Sequence, residues 1–318
     1  MEMFKIKLGI SSCLLGQTVR YDGNHKLDRY LKDVLGKYVQ WIPVCPEYEC
    51  GLGVPREAMR LVNNGEQVRL LTIKTKQDRT DQLLSFTHEV IKKLSSEDLC
   101  GFVFKSKSPS SGLKDAKVYD TTGNVIGKGP GLFAEKFIQV FPYLPVEDEG
   151  RLHNEDIREN FLERVFVYAR WRQWFSTEIS VEKLVHWQRD HKLLIMAHSP
   201  LAARTLGKMV ADYHHGENKD ILASRYFKTM MESLELRATI KKNVNVLYHA
   251  AGYFKKKLSS DEKKELSEII ENYHNELVPL IVPVTLLNHY VRKFNESYLK
   301  NQHYLNPHPL ELKLRNHV

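Results

Sequence analysis

Residues 5–13, Lys-Ile-Lys-Leu-Gly-Ile-Ser-Ser-Cys, decide the fold that we predict for the first half of the chain. The apolar positions of Lys5–Ile10 predict a short strand, and a polar loop that ends in a cysteine follows it directly. The same order recurs twice: Val39–Val44 precedes Cys45-Pro46-Glu47, and Gly101–Lys105 precedes a serine-rich loop over residues 106–112. We therefore expect three strands that each end in a loop able to carry chemistry.

Helical segments separate these strands. Apolar residues at suitable spacing predict helices over Lys26–Lys37, Gln82–Leu94 and Gly131–Phe141, and further strands over Val68–Ile73 and Tyr143–Val146. Strands that alternate with helices favour an α/β domain with a Rossmann-like parallel sheet covered on both faces. Ligands of such sheets bind beyond the carboxyl ends of the strands, so we expect the three loops to meet in one crevice.

The second half of the chain has a helical pattern. The acidic segment that ends at Gly150 predicts a domain boundary, with one domain over residues 1–149 and another over residues 150–318. Four later stretches carry apolar residues at helical spacing: Ile157–Phe175, Val181–His198, Leu201–His214 and Ile221–Tyr253. Ser259 and Glu262 have the spacing of a capping box at the start of a further helix. We predict an all-α C-terminal helical bundle of six or seven helices.

Composition excludes several classes of protein. Hydrophobic residues make up 42% and charged residues 27% of the 318, which is typical of a globular chain. No apolar run is long enough to cross a bilayer, and the first ten residues lack the apolar core of a secretory signal, so we expect a cytoplasmic protein. The four cysteines should then not form disulfides, and their spacing does not match a paired C-x-x-C zinc site.

Positive charge is concentrated in the second half. Residues 151–318 carry 26 Lys and Arg against 20 Asp and Glu, whereas residues 1–150 carry 21 against 19. A basic excess on one domain fits a polyanion partner such as RNA, although an ordinary solvated surface has the same composition. Aromatic and basic side chains mix around the candidate tRNA-binding residues, which are Arg170, Arg172, Lys241, Lys242, Lys255, Lys256 and Lys257. Aromatic residues at helical spacing are also typical of a core, so both interpretations stay open.

Three motifs stand out in the first half. They are Ser-Ser-Cys-Leu-Leu-Gly at residues 11–16 with Val-Arg-Tyr-Asp-Gly at 19–23, Pro-Val-Cys-Pro-Glu at 43–47 with Gly-Leu-Gly-Val-Pro-Arg at 51–56, and Lys-Ser-Lys-Ser-Pro-Ser-Ser-Gly at 105–112. Together they resemble the thiouracil desulfidase family over about residues 5–146. The remainder resembles the helical domain found fused to that family, through residues 189–199 and 252–254. This two-domain arrangement is similar to bacterial desulfidases that remove sulfur from 4-thiouridine in tRNA.

The resemblance implies a [4Fe-4S] cluster held by three cysteines and a non-redox reaction that gives uridine and hydrosulfide. The family ends its third motif in Ser-Pro-Ser-Cys-Gly, whereas this chain has Ser111, a poor ligand, at the cysteine position. Cys50 and Cys100 are the candidates to replace it. The strand that follows Cys100 spans about 16 Å and should place this thiol at the opposite end of the sheet from Ser111. We therefore predict Cys13, Cys45 and Cys50 as ligands, with Cys100 as a buried structural thiol.

The same resemblance suggests roles for other residues. Glu47 matches the family motif and is the predicted general acid or base, although a turn cap is the structural alternative. Ser108 is predicted to activate water or to hydrogen-bond the pyrimidine. The predicted substrate-binding residues are Ser12, Tyr21, Ser110 and Ser111, for which turn chemistry or a core position is the alternative.

Two other functions fit the same residues. The first is a desulfidase of free thiouracil or thiouridine, in which the helical half makes other contacts. The second is a non-catalytic RNA-binding or redox-sensing protein in which the cysteines hold a structural cluster. Sulfide release from thiolated tRNA and from the free base separates these alternatives from the tRNA desulfidase.

Overall fold

The structure, a computed structural model, describes residues 6–214 and 218–309, together with Leu312 and Leu314. Lys5, the first residue of the strand predicted at Lys5–Ile10, lies outside the described residues. The chain divides into two compact units, Met1–Ile157 and Arg158–Val318. The predicted boundary between residues 149 and 150 falls in a segment of turns that precedes this division.

The described part of the first unit contains two sheets. Its strands are β1 (Ile6–Ser11), β2 (Val39–Val44), β3 (Met59–Asn63), β4 (Val68–Thr72), β5 (Phe102–Phe104), β6 (Ala116–Tyr119), β7 (Val125–Gly129) and β8 (Val146–Asp148). The first sheet has the order β2-β1-β5-β8, and every neighbouring pair in it is parallel. The predicted parallel sheet is therefore confirmed.

The second sheet has the order β4-β3-β6-β7 and was not predicted. Its pairs β3–β4 and β6–β7 are antiparallel, and β3–β6 is parallel. The strand predicted at Val68–Ile73 is β4, but it belongs to this sheet rather than to the parallel one. Strand β7, Val-Ile-Gly-Lys-Gly, is mostly exposed and lacks the apolar alternation by which a strand is recognised.

Two helices of the first unit lie close to their predicted positions, α1 (Thr80–Ser95) and α2 (Leu132–Val140). The helix predicted over Lys26–Lys37 is wrong in extent, because only a wide turn at Tyr30–Val34 and a tight turn at Leu35–Lys37 form. The backbone amides of Lys26 and Asp28 instead donate to carbonyls of Cys13 and Leu14, so this segment braces the loop after β1.

The core of the parallel sheet contains a close contact between a glycine and an aromatic ring. Gly9 of β1 is paired with Phe102 of β5, and a Cβ atom built on Gly9 would overlap the Phe102 ring carbons. Phe102 also packs against Phe104 and Phe137 with ring centroids 4.3 and 4.8 Å apart. The ring is therefore held on its other sides and has little room to move.

We expect Gly9→Ala to destabilise the protein by about 1–3 kcal/mol, the usual cost of overpacking a core. The measurement is urea unfolding of the full chain. Gly127→Ala is the matched control, because a Cβ at Gly127 meets no atom within 4 Å. Equal free energies of unfolding for the two variants would contradict the proposed overlap.

Helices make up the regular structure of the second unit in the residues described. They are α3 (Glu155–Trp174), which begins at the end of the first unit, α4 (Val181–His198), α5 (Pro200–Ala211), α6 (Lys219–Leu234), α7 (Ile240–Gly252), α8 (Ser260–His274), α9 (Ile281–Lys293) and α10 (Ser297–Lys300). Helix α4 packs on α5, α6 and α7. The all-α prediction is confirmed, and the capping box of Ser259 and Glu262 forms.

The predicted helix count was too low, since eight helices, α3–α10, lie in the residues that the structure describes. The single stretch predicted at Ile221–Tyr253 is two helices, because α6 ends at Leu234 and Thr239 caps a new one. The Thr239 side chain accepts a hydrogen bond from the Lys242 amide and so stabilises the start of α7. None of the helices in the described ranges has the length and hydrophobicity to cross a membrane.

Candidate active site

Three loops meet at the carboxyl edge of the parallel sheet, as the sequence predicted. Strands β2, β1 and β5 are adjacent and parallel, so the segments after Val44, Ser11 and Phe104 leave the sheet on the same side. The Lys105 amide donates to the Ser11 side chain at 2.9 Å and ties the first loop to the third. A cavity of about 410 Å³ opens between the loops, a size typical of small-molecule sites.

Most of the predicted site residues line this cavity. Its walls are residues 11–13, 19–21, 44–47 and 105–111, with Lys26, Arg56, Ala58 and Met59. The predicted residues among them are Ser12, Cys13, Tyr21, Cys45, Glu47, Ser108, Ser110 and Ser111. The structure thus brings these side chains together, while their individual roles stay predictions.

The Glu47 carboxylate is held on two sides. Its Oε2 atom accepts hydrogen bonds from Arg56 Nη2 at 2.6 Å and Nε at 3.1 Å, and its Oε1 atom accepts one from the Ser110 hydroxyl at 2.8 Å. Arg56 is buried and fixed in turn, because its Nη1 group donates to the carbonyls of Val19 and Gly53. A forked pair of this kind fixes the orientation of a carboxylate as well as its charge.

A row of serine hydroxyls leads away from Glu47. The Ser108 and Ser110 hydroxyl oxygens are 3.0 Å apart, and those of Ser110 and Ser111 are 3.4 Å apart. Ser108 Oγ also accepts the backbone amides of Ser110 and Ser111. Because the Ser110 hydroxyl donates its hydrogen bond to Glu47, the Ser108 hydroxyl must be the donor in the contact between Ser108 and Ser110. The hydrogen bonds therefore run in one direction, from Ser108 through Ser110 to the carboxylate.

Two cysteine thiols lie on the same cavity. Burial raises the pKa of Cys13, an effect that the positive charges of Lys105 and Arg20 partly oppose. Burial raises the pKa of Cys45 to about 12, while a backbone hydrogen bond from Tyr48 acts in the opposite direction. Both thiols are therefore protonated at neutral pH unless a bound metal takes the place of the proton.

The third predicted ligand, Cys50, is not among the residues that line the cavity. It lies in the helical turn Tyr48–Leu52, where its thiol contacts the Glu47 carbonyl at 3.4 Å and its side chain meets an apolar cluster that includes Leu61 and Leu83. Its half-buried thiol is thus one turn away from Glu47 and close to the second loop.

Cys100 lies at the other end of the parallel sheet. Its amide donates to the carbonyl of Lys7 at 2.9 Å, near the start of β1, whereas Cys13 follows the end of that strand. The thiol is buried and contacts the Asp98 carbonyl. This position supports the sequence argument that set Cys100 apart from the other three cysteines.

The donor set at the cavity fits an iron–sulfur cluster better than a single metal ion. No group of three or more His, Cys, Asp and Glu side chains within the described ranges is arranged around one ion. A cluster bonds each cysteine to a different iron, so its ligands need not converge on one point. Two thiols on the wall, a third nearby and no histidine on the described lining make a soft donor set.

The sequence did not reveal the partner of Glu47. The motifs at residues 19–23 and 51–56 contain Arg20, Asp22 and Arg56, and nothing in the sequence distinguishes them as partners of Glu47. In the described structure Arg56 binds Glu47, while Arg20 contacts Asp22 at 3.5 Å. Lys105 was also missed, although it lines the cavity and pairs with Glu149. The nine-residue interval between Glu47 and Arg56 crosses an irregular loop and carries no periodic signal.

The predicted tRNA-binding cations differ in their surroundings. Lys241, Lys255 and Lys256 are exposed and have no ion pair in the described part of the chain. Lys242 donates to two carbonyls, at His198 and Arg237, and Lys257 pairs with Glu296 at 2.7 Å. The two predicted arginines, Arg170 and Arg172, lie on α3 and are only partly exposed. Arg170 donates to the Pro307 carbonyl at 2.7 Å. Contact of any of them with RNA stays a prediction.

Comparisons with known proteins match the two halves of the chain separately. Residues 8–149 match the model of the 2-thiouracil desulfurase family, and residues 192–309 match a family of unknown function, DUF1722. An uncharacterized protein of Escherichia coli strain K12, YbgA, is 31% identical over 158 residues, which are 50% of this chain and 94% of YbgA. A solved [4Fe-4S]-dependent thiouracil desulfidase, TudS, is 28% identical, with 47% of this chain and 94% of TudS covered and a TM-score of 0.37.

Proposed function

Because residues 8–149 place this chain in the 2-thiouracil desulfurase family, with a DUF1722 region at residues 192–309, we propose that it is an iron–sulfur-dependent desulfidase that converts 4-thiouridine in tRNA to uridine. The observation that carries the proposal is the cavity at the sheet edge, where Glu47 stands beside the thiols of Cys13 and Cys45 and a row of serine hydroxyls. A carboxylate can transfer protons and thiols can hold a soft metal group, so this set of side chains suits hydrolytic sulfur removal.

Cys13, Cys45 and Cys50 would hold the [4Fe-4S] cluster. When bound, the cluster supplies a soft Lewis acid that suits the sulfur of a thiocarbonyl group. Binding it requires three thiols to lose their protons, and the raised pKa values of Cys13, Cys45 and Cys50 make this loss more costly at low pH. We therefore expect reconstitution to proceed further at higher pH within the range in which the chain stays folded.

The proton transfers of the reaction fall to Glu47 and the serines. Water adds its oxygen to the ring carbon that carries sulfur, and the carbon–sulfur bond breaks, so that uridine and hydrosulfide form without any oxidant or reductant. Glu47 takes the proton of the attacking water, and the Arg56 fork keeps the carboxylate oriented for it. Ser108 and Ser110 offer a hydrogen-bonded path to the same carboxylate.

The second unit offers a surface for the RNA. Lys255 and Lys256 are exposed beside Tyr253, whose ring stacks on that of Tyr298 with centroids 4.8 Å apart. Tyr253 is 44% exposed, so an unpaired base could add to this stack while the two lysines contact phosphates. Lys257 already has a carboxylate partner in Glu296 and offers less to a phosphate.

We expect the double substitution of Lys255 and Lys256 by Ala to weaken tRNA binding on the order of tenfold. The slope of log affinity against log salt should become shallower by about 2, one for each lost phosphate contact. Binding is measured by filter retention over a range of salt concentrations. Lys257→Ala is the matched control and should change both quantities less. Identical salt slopes for all three proteins would remove this surface from the proposal.

A specific observation favours a second candidate, a desulfidase of the free base. The description of the matched family names 2-thiouracil, and its model covers only the first unit. The deciding experiment counts sulfide released by the anaerobically reconstituted full chain from thiolated tRNA, free 4-thiouridine and 2-thiouracil. Turnover on tRNA alone supports the proposal, and turnover on the free base alone supports the alternative. A full cluster with no sulfide from any substrate contradicts both and favours a binding or sensing role.

A further inference from the structure

A second cavity, of about 520 Å³, lies wholly within the helical unit. Helix α3 contributes Arg170 and Trp174 to its wall, α4 contributes Lys183, Trp187 and His191, and His303 comes from the segment after α10. Its volume is typical of small-molecule sites. None of the comparisons assigns it a ligand, because the matched family and the YbgA relative are both of unknown function.

Arg170 and Lys183, two cations of the cavity wall, have no hydrogen-bonded carboxylate partner in the described part of the chain. Arg170 donates through Nη1 to the Pro307 carbonyl and through Nε to His191, and its enclosed Nη2 group has no acceptor in the described part of the chain. Burial lowers the pKa of Arg170 to about 10, although the charge of Glu163 opposes the shift. An arginine enclosed in this way favours the arrival of an anion that supplies the missing acceptor.

The other charged residues of the wall do not cancel this potential. Within the described residues, the acceptors of Lys183 Nζ are neutral: the Thr177 hydroxyl and the Glu178 carbonyl, each at 3.2 Å. Asp190 is held by its neighbour Arg189 through two hydrogen bonds of 2.7 and 3.2 Å. The Asp190 carboxylate is therefore already paired with Arg189 and does not neutralise Arg170 and Lys183. Binding of a metal cation in this cavity is disfavoured, because two cations line its wall.

Aromatic rings form the rest of the wall. Trp187 stacks on His191 with centroids 3.7 Å apart, and His191 lies 4.2 Å from His303. Burial and the charge of Arg170 lower the pKa of His191 well below its ordinary value and that of His303 to about 3, so both imidazoles are neutral. The contacts of His191 fix its tautomer, in which Nδ1–H donates to the Trp187 carbonyl and Nε2 accepts from Arg170.

We propose that this cavity binds a nucleotide, with its phosphate at Arg170 and Lys183 and its base against the more accessible rings of His303 and Trp174. A phosphate supplies an acceptor for Arg170 Nη2 and a negative charge for Lys183, and a flat heteroaromatic base suits the neutral rings beside them. The half-exposed Trp174, whose indole N–H donates to the Lys183 carbonyl, lies at the entrance. The nucleotide can be a free mononucleotide or one unit of an RNA chain, and the site does not depend on the proposed chemistry of the first unit.

Tryptophan fluorescence of the full chain tests the proposal, because Trp171, Trp174 and Trp187 all lie at or near the cavity. Four probes are titrated: uridine 5′-monophosphate, uridine, inorganic phosphate and a single-stranded oligouridylate. We expect the monophosphate, the oligouridylate or both to quench emission, with uridine and phosphate at least tenfold weaker. Quenching by the monophosphate indicates a free nucleotide as ligand, and quenching by the oligouridylate alone indicates a unit of RNA.

Three variants separate binding from folding. Lys183→Ala should weaken the phosphate-bearing probe about tenfold, the loss expected for one charge-assisted hydrogen bond, and leave uridine unchanged. Arg170→Gln should have a larger effect, but it also removes contacts to Pro307 and His191, so Lys183→Ala and Trp174→Ala keep the test valid if that variant does not fold. The double substitution of Lys92 and Lys93, exposed lysines of α1 in the first unit, is the control for non-specific charge. No quenching at millimolar probe, or equal affinity of Lys183→Ala and the unchanged protein, would overturn the proposal.

Discussion

Replacement of Glu47 by Gln is expected to lower sulfide release from thiolated tRNA by at least about a hundredfold, while the iron content stays at that of the unchanged protein. General acid–base catalysis contributes about 10²–10⁴ in rate, and the amide of glutamine cannot take the proton of the attacking water. The substitution keeps the shape of the side chain and leaves both cavity thiols in place. The loss should therefore appear in kcat rather than in cofactor loading.

The measurement is anaerobic sulfide release together with an iron count on the same sample. Glu57→Gln is the matched control, because the Glu57 carboxylate does not line the cavity and instead accepts hydrogen bonds from the Thr75 amide and hydroxyl. Turnover close to normal in Glu47→Gln at full iron content would remove Glu47 from the mechanism. Arg56→Ala should give an intermediate loss, since it frees the carboxylate from its fork without removing the base.

Replacement of Cys50 by Ala is expected to remove most of the bound iron, whereas replacement of Cys100 by Ala should leave it unchanged. The two substitutions are matched in chemistry and differ in position, because Cys50 follows the second loop and Cys100 lies beside Lys7 at the amino end of β1. Iron per chain and the visible absorption of the cluster report the result. Cys13→Ala and Cys45→Ala should behave as Cys50→Ala does.

A rescue experiment makes this test sharper. Ser111 is buried on the cavity wall, and the resemblance described above implies a cysteine at this position in the family's third motif. The double variant Cys50→Ala, Ser111→Cys should therefore recover iron that Cys50→Ala loses. Iron near the normal level in Cys50→Ala itself would reject Cys50 as a ligand. Loss of iron in Cys100→Ala would contradict the prediction that Cys100 is not a ligand.

The parallel sheet could be predicted because β1, β2 and β5 are rich in apolar residues and are followed by recognisable loops. Strand β2 was predicted with its observed bounds, Val39–Val44, and β5 lies inside the predicted Gly101–Lys105. Strands β6 and β7 could not be found, because their side chains are mostly half-buried or exposed and β7 contains two glycines. The segment after Lys26 carries a helical pattern, but its first amides bind the loop at Cys13 instead of forming a helix.

The sequence predicted which loops form the site, but it did not predict the contacts between their side chains. The topology rule for parallel sheets predicts that Cys13, Cys45 and Glu47 lie close together, and all three line one cavity. The choice of Arg56 over Arg20 as the partner of Glu47 depends on the irregular path between residues 47 and 56, which no periodicity describes. The position of Cys50 against the apolar cluster beside Leu61 also follows from tertiary packing alone.

The one-way order of the serine hydroxyls has a consequence for the rate of repeated turnover. Every proton that passes from Ser108 through Ser110 to Glu47 leaves both hydroxyl groups pointing away from the carboxylate. Each hydroxyl group must then rotate back before the path can carry another proton. The two serines therefore act as a proton wire that must be reset after each catalytic cycle. In heavy water this reset involves two deuterons, and a multiple-turnover rate should slow more than the first turnover does.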